Sequence, residues 1–272
     1  MSNGFTLEKF ASLPFYQEVN RRLVSLTHLH PGLKVVDVGA GTGAVTRLIV
    51  EEVSPSANSE VIAIEPSETA IEVARRNLEN LSGAVVGIIQ GGAEKLSQLV
   101  KKPVDAVFFC NAIHLVPEKE RVLQEVRKTL RDDGTFSFNT TFYTGAEPPE
   151  SEQLYRRWMM RALRILKSEY GLSPERTKVS ARVQLTSDQY RYLLEESGFQ
   201  VKEMEIVKVD VPLTGFEAIS EYSLWIEGVL PGVPLEAGRD SLVAAARQAF
   251  SELQISTSPR NWLLVVASPA GH

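Results

Sequence analysis

The chain has 272 residues, enough for one large domain or one domain with sizeable insertions. It is 43% hydrophobic and 23% charged, the ordinary balance of a globular protein, and its net charge of -5 argues against non-specific binding to nucleic acid or anionic membranes. One cysteine excludes an intrachain disulfide and disfavours a zinc cluster; no apolar run reaches the ~18 residues of a membrane span. The opening MSNGFTLEKFASLPF lacks the basic and apolar regions of a signal peptide, so a cytoplasmic location is expected.

Residues 34–139 alternate short apolar runs with amphipathic stretches. LKVVDVGAG reads as a strand and GAVTRLIVEEV as a helix. SEVIAIEP is a strand and SETAIEVARRNLENL a helix. AVVGIIQGG, VDAVFFCNA and GTFSFNTTF are three further strands. Between the last two, PEKERVLQEVRKTLRDDG predicts a helix with Pro117 at its first position and Gly134 after its end. Val122, Leu123, Val126 and Leu130 form its buried stripe. Apolar strands alternating with helices imply a parallel sheet covered on both faces.

The second half is less regular. Residues 152–167 place Leu154, Trp158, Ala162, Ile165 and Leu166 on one side of a helix, and Arg156, Arg157, Arg161, Arg164 and Lys167 on the other. Thr186 and Gln189 have capping-box spacing, and Gly198 stops that helix. FQVKEMEIVKVDV predicts a long strand, residues 215–253 two helices joined by LPGVPLE, and RNWLLVVAS a final strand. The expectation is a single domain over 1–272, with a cofactor-binding core at about 30–142 and helical cap insertions at about 143–185 and 214–256.

The sharpest local signal is Val35-Val36-Asp37-Val38-Gly39-Ala40-Gly41-Thr42-Gly43 at a strand-to-helix turn. Glycine there permits positive φ and lets a ligand approach the backbone. Gly39, Gly41 and Ala44 nearly satisfy the dinucleotide fingerprint. Glu65 ends the next strand, where an acidic side chain accepts hydrogen bonds from ribose hydroxyls. The ligand type turns on Asp37. A carboxylate beside the glycine turn repels a pyrophosphate but suits an ammonium group. S-adenosylmethionine carries an ammonium and a sulfonium and no phosphate. A nicotinamide-dependent oxidoreductase and a non-catalytic S-adenosylmethionine-binding module are the alternatives of other classes.

These residues resemble a class I S-adenosylmethionine-dependent methyltransferase, most similar to the small-molecule group that includes the ubiquinone/menaquinone biosynthesis enzymes. VVDVGAGTG matches the family's first motif, and IAIEPSETAIEVAR its second strand with the acidic ribose ligand. GGAEKL resembles the adenine-side segment, and VDAVFFCNAIHLVPEKERVLQEVRKTLRDDGTF the fourth strand through the fifth. The resemblance covers about residues 30–140, and SDQYRYLLEESGFQ resembles the lead into the sixth strand. It implies an α/β, Rossmann-like three-layer sandwich with a seven-stranded, mostly parallel sheet whose last strand is antiparallel, and helical cap insertions. It also implies that Asp37, Gly39 and Gly41 contact the methionine moiety directly or through water, with Ala40 and Gly43 completing the loop. Glu65 would hold the ribose, Pro66 and Ser67 flank the adenine, Ala93 and Glu94 approach its edge, and Asn111 sit near the methyl group. Family members often carry an aspartate where this chain has Gly92; Glu94 or a backbone carbonyl would take its place.

A sulfonium is already activated, so the enzyme needs in-line geometry, exclusion of water and a destination for an acceptor's proton. No metal is expected. His114 is the candidate general base, the alternative being a packing or substrate-orienting role. His28 and His30 precede the first strand and His272 is terminal, so none is expected at the site. Cys110 reads as a small buried strand residue. Tyr16, Phe142, Tyr143, Trp158, Tyr222 and Trp225, with His114, are the candidates for acceptor contact, alongside their ordinary role in packing. They predict a small, largely apolar acceptor, methylated at a hydroxyl or carboxyl oxygen in preference to nitrogen or carbon. The arginine-rich face at 156–167 is either solvated or suited to an acidic carrier protein. The oligomeric state is not readable.

Overall fold

A computed structural model describes residues 5–54, 58–81, 84–175 and 184–271; His272 lies outside them. In chain order the elements are α1 (Glu8–Ala11), α2 (Pro14–Leu26), β1 (Lys34–Val38), α3 (Ala44–Val53), β2 (Glu60–Glu65), α4 (Glu68–Leu78), β3 (Val85–Gln90), α5 (Leu96–Leu99), β4 (Val104–Cys110), α6 (Lys119–Thr129), β5 (Leu130–Thr140), α7 (Pro149–Tyr170), α8 (Ser187–Glu196), β6 (Phe199–Pro212), α9 (Leu213–Ile219), α10 (Ser223–Val229), α11 (Leu235–Leu253) and β7 (Thr257–Pro269). Short 3₁₀ turns cover Ala93–Lys95 and Ile113–Leu115.

Among the described residues the strands form one seven-stranded sheet in the order β3-β2-β1-β4-β5-β7-β6, and β7 runs antiparallel to β5. This is the doubly wound α/β architecture the sequence predicts. The order reverses between β1 and β4, whose parallel pairing sets Val35 beside Ala106 and Asp37 beside Phe108. Loops at the carboxyl ends of strands flanking such a switch point form the ligand site of this architecture. Both faces of the central strands are buried, which is why KVVDV, EVIAIE and VDAVFFC read as apolar runs without strict alternation.

Two compact units divide the chain. The sheet unit comprises Tyr16–Ala146, Ala181–Val207 and Trp262–His272. Its core includes Phe136, Phe138, Tyr190, Phe199, Leu263 and Val265. The second unit comprises Met1–Phe15, Glu147–Ser180 and Lys208–Asn261. Its core is aromatic: Trp158 stacks on Trp225 at 5.8 Å and meets Phe216 edge-on at 5.1 Å. The Trp158 indole donates to the Leu242 carbonyl at 2.8 Å, so the polar end of this 1% exposed side chain is satisfied. The expected stripe Leu154, Trp158, Ala162, Ile165 and Leu166 is buried. On the other side of α7, Arg157 and Arg161 pair with Glu252 at 3.4 and 2.7 Å, whereas Arg156, Arg164 and Lys167 are exposed.

Three local expectations are corrected. Pro117 precedes α6 rather than opening it: Val116 before it is extended, as a residue preceding proline prefers, and Glu118 is the N-cap. Gly134 does not end α6. That helix stops at Thr129, Leu130 turns extended to pair with Val104, and the register shifts before Ala106 pairs with Thr135. A β-carbon on Gly134 would lie 3.1 Å from the carbonyls of Arg131 and Asp105, so glycine serves this irregularity instead. Residues 213–253 hold three helices, not two. The first ends where the Ser220 hydroxyl bonds back to the Phe216 carbonyl at 2.6 Å and Tyr222 turns extended. The capping box is formed: Thr186 Oγ1 accepts from the Gln189 amide and Gln189 Oε1 from the Thr186 amide.

Candidate active site

The loop after β1 turns on three left-handed glycines, Gly39 at φ 66°, Gly41 at φ 55° and Gly43 at φ 84°. Two of them face different constraints. A β-carbon at Gly39 would lie 2.8 Å from the Ala112 β-carbon and 3.3 Å from the Phe109 ring, so this glycine lets the loop press against the segment after β4. At Gly41 a β-carbon would meet nothing within 4 Å, which leaves open space over that backbone. The Gly39 and Ala40 amides donate to the Ile64 carbonyl at 2.8 and 3.1 Å, tying the loop to the end of β2.

Asp37 is 1% exposed, and its Oδ2 accepts from Thr46 Oγ1 at 2.6 Å. Burial, helped by the nearby Glu65 charge and opposed by the Thr46 hydrogen bond, pushes its carboxyl up to about 7. Glu65 Oε2 accepts from the Gly41 amide at 2.8 Å and Oε1 from the Ser67 amide at 2.9 Å. Burial raises its carboxyl, and those two amides partly oppose the rise. Each Glu65 oxygen keeps a further lone pair, enough for two hydroxyl donors. The Gly91 amide donates to the Glu65 carbonyl at 3.1 Å, and Gln90 Nε2 to the Pro66 carbonyl at 3.3 Å, which brings the end of β3 to the same place. Pro66 and Ser67 are exposed at the start of α4, and Ser67 caps it. Ala93 is half-buried in the next turn. The Glu94 carboxylate lies where a side chain on Gly92 would begin.

Asn111, directly after β4, adopts φ 51°. Its Nδ2 donates to the Tyr16 hydroxyl at 3.2 Å, and its Oδ1 accepts from the Trp262 indole at 3.1 Å. Its backbone amide donates to Asn139 Oδ1 at 3.0 Å. His114 is 8% exposed, stacks on Phe142 with ring centroids 4.2 Å apart, and its Nδ1 lies 3.2 Å from Thr140 Oγ1. The Thr140 oxygen also accepts from the Phe142 amide at 3.0 Å. Cys110 is buried, and burial pushes its thiol well above the ordinary value, which removes a thiolate role.

Asp37, the glycine loop, Glu65, Pro66, Ser67 and Asn111 thus converge within the sheet unit, joined to the 91–94 segment by hydrogen bonds. His114, Phe142 and Tyr16 belong to the same unit. Tyr143 does too, but it is 2% exposed and packs in the core cluster. Trp158, Tyr222 and Trp225 belong to the helical unit, Trp158 and Trp225 as its stacked aromatic pair. Sequence reasoning passed over Thr46, Asn20, Asn139, Thr140 and Trp262. One signal was available: Asn20 lies on the buried face of α2, where helical spacing calls for an apolar residue, whereas Asn139 falls in the polar phase of the F-S-F-N alternation of β5.

A methyltransferase-domain model matches residues 29–198. Nocamycin O-methyltransferase of Saccharothrix syringae is 31% identical over 166 residues, 59% of this chain and 54% of that protein. A ubiquinone/menaquinone biosynthesis C-methyltransferase of Bartonella bacilliformis is 26% identical over 164 residues, 60% of this chain and 56% of the relative. The chain spans about half the length of the curated relatives it matches. Among solved structures, the cyclopropane synthase MmaA2 from Mycobacterium tuberculosis superposes with TM-score 0.57 at 15% identity, covering 93% of this chain and 84% of that one. The [4+2]-cyclase SpnF superposes with TM-score 0.58 at 15% identity, covering 94% and 82%; likenesses this remote report the fold alone. The chain belongs to the class I S-adenosylmethionine-dependent methyltransferase family.

Proposed function

We propose that the protein is a methyltransferase that binds S-adenosylmethionine in the sheet unit and methylates a small, largely apolar molecule at a hydroxyl or carboxyl oxygen. The observation that carries the cofactor is the carboxylate pair at the glycine loop: buried Asp37 held by Thr46, and Glu65 held by the Gly41 and Ser67 amides with lone pairs to spare. These residues fit the group. Asp37 suits the ammonium of the methionine part and Glu65 the ribose hydroxyls. The open space over Gly41 admits a ligand against the backbone. Pro66, Ser67, Ala93 and Glu94 line the adenine side. An NAD pyrophosphate, by contrast, would meet the Asp37 carboxylate. When bound, S-adenosylmethionine supplies an activated methyl group and leaves as S-adenosylhomocysteine.

His114 receives the proton of a hydroxyl acceptor at Nε2. That role requires Nδ1–H to donate to Thr140 Oγ1, and Phe142 fixes the ring plane by stacking. A carboxylate acceptor needs no base. Within the sheet unit Tyr16 and Phe142 are the aromatic candidates for acceptor contact, whereas Tyr143 and Trp158 are core residues of their units. The exposed basic face of Arg156, Arg164 and Lys167 suits an acceptor presented on an acidic carrier.

The test is calorimetric titration of S-adenosylhomocysteine into the wild type and Glu65→Ala, followed by a labelled-methyl screen of hydroxyl and carboxyl acceptors. Binding by the wild type that is lost in the variant is expected. Folded wild type that binds NAD and not S-adenosylhomocysteine would overturn the reading. With a hydroxyl acceptor, His114→Ala should lower turnover about 100-fold while cofactor binding persists; unchanged turnover would remove the base.

A further inference from the structure

The polar groups around Asn111 form a hydrogen-bonded circuit. Asn111 Nδ2 donates to the Tyr16 hydroxyl. The Tyr16 carbonyl accepts from Asn20 Nδ2 at 2.7 Å, and Asn20 Oδ1 accepts from Asn139 Nδ2 at 2.9 Å. Asn139 Oδ1 returns to the Asn111 backbone amide. Asn20 is 1% exposed and Asn139 0%.

The orientation of every amide in the circuit is determined by a partner that acts in one direction only. The Trp262 indole is a donor and nothing else, so it must meet Asn111 Oδ1 and turns Nδ2 toward Tyr16. The Asn111 backbone amide is also donor-only and is shared between the Asn139 carbonyl at 2.9 Å and Asn139 Oδ1, so Asn139 presents Oδ1 to it and Nδ2 to the Asn20 oxygen, which fixes its orientation. The Tyr16 carbonyl is acceptor-only, so Asn20 must present Nδ2, which agrees with the Asn139 end. No amide can flip without leaving buried groups unpaired. Asn111 itself is held at a positive φ that a non-glycine residue rarely adopts, and Ala112 beside it is the residue that Gly39 approaches.

So much buried polar structure around one half-buried loop amide points to that amide as the group being served. We propose that Trp262 and Asn139 are positioning residues that aim the Asn111 amide at the cofactor, and that Trp262, beyond the matched domain region, makes the last strand part of this site. The inference rests on the reading above that Asn111 faces the methionine end.

The experiment measures S-adenosylhomocysteine affinity and melting temperature for the wild type, Asn111→Gly, Trp262→Phe and the double variant. Glycine accepts the positive φ without strain, so Asn111→Gly keeps the turn and removes only the amide. Affinity should fall about tenfold in Asn111→Gly, and the melting temperature by a few degrees, because the buried bonds to Tyr16 and Trp262 go with the amide. Trp262→Phe keeps the apolar ring and removes the donor; its affinity should fall about fivefold. The double variant should bind as Asn111→Gly does, because Trp262 has then nothing left to aim. Wild-type affinity in Asn111→Gly, or losses that multiply in the double variant, would overturn the proposal while leaving the function intact. A folded wild type that does not bind S-adenosylhomocysteine would instead sink the function and this inference together.

Discussion

Two single residues carry separable predictions. Asp37 binds its proton more tightly in the folded protein than in the unfolded chain, because burial raises it from 3.8 to about 7. Its contribution to stability is therefore fully present below about pH 4 and is lost as pH rises through about 7. Asp37→Asn keeps an oxygen for Thr46 and removes that dependence. At pH 8 the variant should be more stable than the wild type by on the order of 1–4 kcal/mol, yet bind S-adenosylhomocysteine at least tenfold more weakly. Denaturant titrations at pH 5 and pH 8 check the first part; a variant no more stable at pH 8 would refute it. A bound ammonium favours the ionised carboxylate, so wild-type affinity should rise with pH up to about 7 and then level off. The glycines supply a contrast. Gly39→Ala meets Ala112 as well as an unfavourable φ, and should cost about 2–4 kcal/mol. Gly41→Ala meets only the φ penalty and should cost about 1–2 kcal/mol, while binding falls far more than stability does. Equal stability losses in the two would contradict the open space read at Gly41.

At the scale of elements, helix α8 and the aromatic pair of the second unit respond to different forces. Thr186→Ala breaks the capping box and should destabilise by about 1 kcal/mol with cofactor affinity unchanged. Trp158→Ala opens a cavity beside Phe216 and Trp225 and removes the indole bond to the Leu242 carbonyl, a loss of about 3–5 kcal/mol by chemical denaturation. A loss under 1 kcal/mol would mean that Trp158 is not the core residue its burial indicates. The strands were legible in the sequence because fully buried parallel strands must be apolar along their whole length, and α7 because its stripe repeats at helical spacing. The ends of α6 and the break after α9 were not. Each is decided by a partner distant in sequence or by a local side-chain bond: Leu130 extends because Val104 is there to pair with it, and Ser220 ends its helix by returning to Phe216.

For the whole molecule, cofactor binding couples to folding by mass action. Saturating S-adenosylhomocysteine at about 100 times its dissociation constant should stabilise the protein by about 2.7 kcal/mol. Hydrogen exchange should place new protection at the amides of Gly39–Gly43, Glu65, Ser67 and Asn111–Ala112. Protection confined to Glu147–Tyr170 would place the ligand in the other unit and contradict the site described.

The sequence alone determined the glycine loop and the two carboxylates on which the proposed cofactor site rests. Asp37, three glycines and Glu65 lie within thirty residues, and their spacing is imposed by a strand, a tight turn, a helix and a second strand, so the chemistry is written locally. Tertiary structure alone decided what surrounds Asn111. Tyr16, Asn20, Asn139 and Trp262 come from α2, β5 and β7, up to 151 positions away from it, and a buried asparagine is intelligible only with its partners in view. A hydrogen bond leaves no periodicity in the chain. It is satisfied in space, and only there does the orientation of each amide acquire a reason.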